Sequence, residues 1–198
     1  MQPKTAAQCA PPNLFLVGFM GTGKSTLARI LAERWRRPYA DTDLLIEGHT
    51  QMSIPKIFET SGEAGFRELE RQCIEKWIPR ANAVVACGGG LVMPPGMLEL
   101  LKSIGIIICL FARPETVLRR TSHSVVRPLL CAAEPEARIR ELMAQREEVY
   151  LRAGAGVYTD GRCFSELAIA VERIYRRQAK GWKDAPAAVR LQGSASSV

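Results

Sequence analysis

NLFLVGFMGTGKST, residues 13–26, sets an apolar run against a glycine-rich turn that ends in a lysine and two hydroxyls. From Gly18 to Ser25 it fits the pattern G-x-x-x-x-G-K-[ST]. Glycines there let the backbone curl so that successive N–H groups point inward at phosphate oxygens, and the following helix adds its positive N-terminal end. Lys24 is placed to reach the β- and γ-phosphates, and the Ser25 hydroxyl to ligate Mg2+. Such a loop needs a strand before it and a helix after it, and both signals are present. It therefore predicts nucleotide binding. The fate of the γ-phosphate stays open, since hydrolysing switches, motors and small-molecule kinases all use this loop.

Outward from the loop, apolar runs alternate with amphipathic stretches. NLFLVG (13–18), PYAD (38–41), NAVVACGGG (82–90), GIIICLFA (105–112) and GVYTD (156–160) read as strands. KSTLARILAERWRR (24–37), PPGMLELLKS (94–103), residues 114–121, residues near 136–153 and FSELAIAVERIYRR (164–177) read as helices. The stretch from 43 to about 80 carries helical spacing, with Ser53 as an expected N-cap and Pro55 in a first turn. This alternation predicts a parallel sheet with helices on both faces and ligands at the carboxyl ends of the strands. A single domain over 13–177 is expected, with a flexible arm at 1–12 and a disordered tail over 178–198.

Composition narrows the function. The net charge is +7, but Lys4, Lys180, Lys183 and Arg190 against Asp184 put +3 of it outside residues 13–177. The mildly basic body suits phosphates and carboxylates, and no basic run with interleaved aromatics argues for nucleic acid. The longest apolar stretch, IGIIICLFA, is too short to span a membrane. MQPKTAAQCAPP lacks the apolar segment of a secretory signal, so the cytoplasm is the expected compartment. Cysteines 9, 73, 87, 109, 131 and 163 have no metal-ligand spacing and read as free thiols.

Downstream stretches carry further candidates: DTD (41–43), GEAGFRELE (62–70), CGGG (87–90), VRPLL (126–130) and QREEVY (145–150). Each has a plain explanation alone. Asp41 or Asp43 fits an N-cap, Arg67 and Glu70 a surface ion pair, and the glycines a tight turn. Arg127 fits a solvated loop, Arg146 a solvated helix face, and His123 an exposed loop. Together they supply one carboxylate for a metal and one to orient a hydroxyl. They add two arginines to clamp a planar carboxylate, and backbone that a small ring can approach.

In this order and at these separations, GxxGxGKST, DxD, GExxFRxxE, GGG, RPLL and RxxxY resemble the shikimate kinase family over about residues 13–175. The resemblance implies a P-loop three-layer α/β/α fold of the nucleoside-monophosphate-kinase type, with a five-stranded parallel sheet and a lid at about 122–135. It implies γ-phosphate transfer from ATP to the 3-hydroxyl of shikimate, on the route to the aromatic amino acids. Gly21, Thr22, Gly23, Lys24, Ser25 and Thr26 would cradle ATP, and Ser25 with Asp41 would serve Mg2+. Asp43 would bind the acceptor hydroxyl, Arg67 and Arg146 the shikimate carboxylate, and Gly89 a ring hydroxyl. Arg127 would close on the phosphates, Arg120 would pack on adenine, and Arg162 is a further nucleotide candidate. The family also implies a monomer. Departures are Gln51, often glycine in the family, and Gly154, commonly alanine. The competing readings are a gluconate-type sugar-acid kinase and a non-catalytic ATP-binding module.

Overall fold

The computed structural model describes residues 10–122 and 135–182. Among them five strands, β1 (Asn13–Gly18), β2 (Tyr39–Asp41), β3 (Val84–Ala86), β4 (Gly105–Phe111) and β5 (Ala155–Tyr158), pair in the order β2-β3-β1-β4-β5. Every pairing is parallel. Parallel neighbours need crossover connections, and the helices supply them. These are α1 (Lys24–Trp35), α2 (Thr42–Thr50), α3 (Ile54–Gln72), α4 (Met97–Ile104), α5 (Pro114–Thr121), α6 (Pro135–Ala153) and α7 (Phe164–Trp182).

Strand periodicity divides the core into two layers. Leu14 and Leu16 of β1 and Ile106, Ile108 and Leu110 of β4 pack on Leu27 and Leu31 of α1 and on Leu167 and Val171 of α7. Phe15, Val17, Ile107 and Cys109 face the other way, onto Ile46, Ile57, Val117 and Ile139 from α2, α3, α5 and α6. Both faces of β1 and β4 are covered, which is why these strands read as continuous apolar runs.

The 43–80 region is more broken than its spacing predicts. Gly62 (φ 65°, ψ −172°) interrupts α3, and a π-helical turn, Cys73–Trp77, closes it. Ser53 stands at the N-cap of α3 but makes no side-chain cap; the Ile54 N–H donates to Glu47 Oε1 at 2.9 Å instead. Gln51 ends α2 in the left-handed region (φ 54°), where glycine is the residue that fits without strain. At the carboxyl end α7 runs on to Trp182, so residues 178–182 belong to the helix and not to the tail. Pro11 and Pro12 are tied down as well: their carbonyls accept from the Asn82 N–H and the Tyr175 hydroxyl.

Gly154, between α6 and β5, has no room for a side chain. A Cβ there falls far inside van der Waals contact of the Ile107 carbonyl. Gly154→Ala should lower stability by about 1–3 kcal/mol. Circular dichroism melts check this, and an unchanged Tm would refute the crowding at β4.

Candidate active site

The phosphate loop leaves β1 at Gly18, and Gly21 (φ 74°) and Gly23 (φ 93°) give it its left-handed turns. The Phe19 carbonyl accepts from Lys24 Nζ at 2.9 Å and from Thr22 Oγ1 at 2.8 Å. Lys24 is thus buried at the start of α1, aimed into the loop. Thr26 sits exposed on the same first turn.

Asp41 ends β2 and caps α2, accepting from the Asp43 N–H at 3.1 Å. Its other oxygen accepts from Ser25 Oγ at 2.7 Å and from the Tyr39 hydroxyl at 3.2 Å. The capping role and the Ser25 pairing therefore coexist. A hydroxyl against a carboxylate beside the phosphate loop suits Mg2+, which binds through one or two carboxylates plus substrate phosphates and water. No cluster of three or more acidic, histidine or cysteine ligands exists among the described residues; a metal held here would take phosphate oxygens and water for the rest of its shell.

A second cluster of charges is built on α3. After the break at Gly62 the helix resumes with Glu63 exposed, Arg67 half-buried, and Phe66 and Glu70 inward. Arg67 holds Glu70 Oε2 through Nη1 at 2.7 Å, and exposed Glu63 through Nη2 at 2.9 Å and Nε at 3.3 Å. Glu70 is 1% exposed, so this is no surface pair. Burial pushes its carboxyl up to about 7, Arg67 opposes the rise, and Asp43 and Glu63 add to it. Its second oxygen, Oε1, is buried without a hydrogen-bond partner.

The glycine triplet is the floor on which these groups meet. A Cβ at Gly88 would lie 2.5 Å from Asp43 Oδ1 and 3.3 Å from Glu70 Oε1; one at Gly90 would lie 2.8 Å from Arg67 Nη1. Only chain without side chains lets Asp43, Glu70 and Arg67 come so close. Gly89 between them offers its carbonyl to the Tyr150 hydroxyl. Tyr150 projects from α6, and burial pushes its hydroxyl up to about 12 against the lowering effect of Arg146. Arg146, half-buried one turn earlier, lies with its guanidinium carbon 5.5 Å from the Phe19 ring centroid. A cavity of about 320 Å3 separates Phe19 and Thr22 from Met143 and Glu147 of α6.

The shikimate kinase family profile matches residues 20–173. The chain belongs to the shikimate kinase family. It is 42% identical over 163 residues to a shikimate kinase of Caldanaerobacter subterraneus subsp. tengcongensis, covering 82% of this chain and 95% of that one. Shikimate kinase from Acinetobacter baumannii, solved in complex with shikimate, superposes with a TM-score of 0.80 at 36% identity, covering 85% of this chain and 94% of that one. A gluconokinase from Sinorhizobium meliloti shares the fold alone, at 16% identity, a TM-score of 0.61, and 89% and 98% coverage. Family membership makes this chain a P-loop kinase acting on a small molecule, and the non-catalytic reading falls.

The family's motif positions fall on one rim of the sheet, apart from Arg127, which lies outside the described residues with the rest of 123–134. Arg120 is anchored on the loop itself, donating to the Gly21 carbonyl at 3.2 Å and to Thr159 Oγ1 at 3.0 Å. Arg162 is exposed and donates to the Glu166 carbonyl at 3.3 Å. Three residues had no site role in the sequence reading: Glu70, read there as half of a surface ion pair, Tyr150 and Phe164. Glu70 and Tyr150 were visible only as motif letters. Phe164, 39% exposed, sets its ring 3.2 Å from where a Gly23 Cβ would stand, and no local pattern announces that contact. Cys87 beside the triplet is an inert thiol, buried and pushed well above its ordinary range.

The triplet yields a pair of opposed predictions. Gly88→Ala displaces Asp43 and should lower kcat about 100-fold with ATP affinity kept. Gly90→Ala displaces only the end of a flexible arginine and should mainly raise KM for the acceptor. Steady-state kinetics separate the two, and identical defects would show that the glycines do not make room for different partners.

Proposed function

We propose that this chain transfers the γ-phosphate of ATP to the 3-hydroxyl of shikimate, as a monomer in the cytoplasm, with Mg2+. The observation that carries the reading is the placement of Arg67 over Gly90 and Asp43 over Gly88. Two residues of chain span at most about 7 Å. A carboxylate grip and a hydroxyl acceptor at that spacing suit a small ring bearing both groups.

On the nucleotide side, Lys24 exchanges the Phe19 carbonyl for phosphate oxygens, and Ser25 and Asp41 would hold the metal. Mg2+, when bound, neutralises charge on the phosphates. Asp43 orients the acceptor hydroxyl and accepts or steers its proton. Arg67 and Arg146 bind the shikimate carboxylate, and Gly89, fixed by Tyr150, meets a ring hydroxyl. Arg120 and Phe164 flank the loop where adenine packs, with Arg162 nearby, and the family pattern assigns Arg127 to the transferring phosphate.

ADP release from MgATP should be strongly stimulated by shikimate and unaffected by gluconate. Stimulation by gluconate, or by neither acceptor, would overturn the substrate. Asp43→Asn should keep ATP binding and lose turnover by orders of magnitude; near-normal turnover would remove Asp43 from the acceptor role. Arg67→Ala should chiefly raise KM for shikimate, because a charge-assisted partner is lost.

A further inference from the structure

Around Arg67 the charges are out of balance for a site that must admit one more carboxylate. Both ends of the guanidinium are already taken, by exposed Glu63 and by Glu70, which is 1% exposed. Asp43 of α2 stands over the same glycine as Glu70 Oε1. Cys73, in the π-helical turn that follows α3, adds no further negative charge, since burial holds its thiol neutral, pushed up to about 12. From α6, Arg146 acts on Tyr150 together with Arg67.

We infer that Glu70 is a proton-linked positioning residue, taking up a proton from solvent as Arg67 engages the carboxylate of the substrate. The inference rests on the reading of shikimate as that substrate. An incoming carboxylate displaces Glu63, whose exposed side chain is readily rehydrated. Glu70 stays, because it is enclosed. One guanidinium then faces two buried carboxylates with Asp43 beside them, and like charges at short range favour the neutral acid. Glu70 is the group that yields. It is already poised near neutrality by burial, whereas Asp43 must remain an acceptor for the reacting hydroxyl. The proton has a ready seat on Oε1, the oxygen without a partner, on the side of Asp43. Oε2 keeps its bond from Arg67, so the arginine is held in place while it turns its free edge to the ligand.

Substrate binding therefore favours the protonated form, and affinity falls as pH rises above the ionisation of the empty site, at about 7. The limiting slope for one linked proton is about tenfold per pH unit. Two readings of the whole chain test this: calorimetry of shikimate binding in buffers of differing ionisation enthalpy, and KM for shikimate against pH at saturating MgATP. Near pH 8 the wild type should take up a proton on binding, approaching about one per site, and its KM should climb above neutrality with no matching change in kcat. Glu70→Gln keeps an oxygen for Arg67 and should abolish both the uptake and the climb. Binding without proton uptake in the wild type, or an undiminished KM slope in Glu70→Gln, overturns the inference. If the variant fails to fold, the wild-type calorimetry decides alone. Absence of binding and turnover with shikimate at every pH would instead overturn the substrate reading, and this inference with it.

Discussion

Parallel pairing of β1 with β3 on one side and β4 on the other fixes where the chemistry sits. In that register Leu16 lies beside Ala86 and Ala86 beside Asp41, while Gly18 lies beside Leu110. The strands thus finish almost level, and the segments that follow them emerge at one edge. Gly18 tightens this arrangement: at φ 134° a Cβ would run into the Leu110 carbonyl. The chain turns out of the sheet at once, curls into the phosphate loop, and brings Ser25 back to the carboxylate of Asp41.

On this platform the glycines act as space for other residues. Gly88 admits Asp43 and Glu70, and Gly90 admits Arg67, so oppositely charged groups from separate helices converge. The arrangement is not built for stability. Burial makes the fold hold the Glu70 proton more tightly than an unfolded chain does, so its stabilising contribution is present at low pH and lost as pH rises through about 7. Removing one member of a buried pair leaves the other uncompensated, which couples the integrity of α3 to the integrity of the site.

Much of this was legible beforehand because it is local. The phosphate loop, the five strands and the helices announce themselves through glycine spacing and apolar periodicity, and the family motifs point to Lys24, Asp41, Asp43, Arg67, Gly89 and Arg146. Capping was less legible. Ser53 has the right residue type, yet Glu47 makes the bond, because α2 and α3 fold against each other and bring a longer side chain within reach. The end of α7 lies beyond the expected start of the tail for a related reason: Trp182 and Ala179 pack on the core layer over α1, and apolar contact extends a helix whose sequence pattern fades.

The sequence by itself determined the order of elements, the parallel sheet and the identity of the charged residues, since periodicity and glycine placement act over a few neighbouring positions. Tertiary structure alone decided what those charges do to one another. Arg67 and Glu70, three apart on a helix, read the same whether they face water or the interior. Only the approach of Gly88 to α2 and α3 buries Glu70 and leaves Oε1 without a partner. Only the packing of α6 on the sheet sets Tyr150 on Gly89. Burial and desolvation belong to surfaces brought together from distant parts of the chain, and no local stretch carries them.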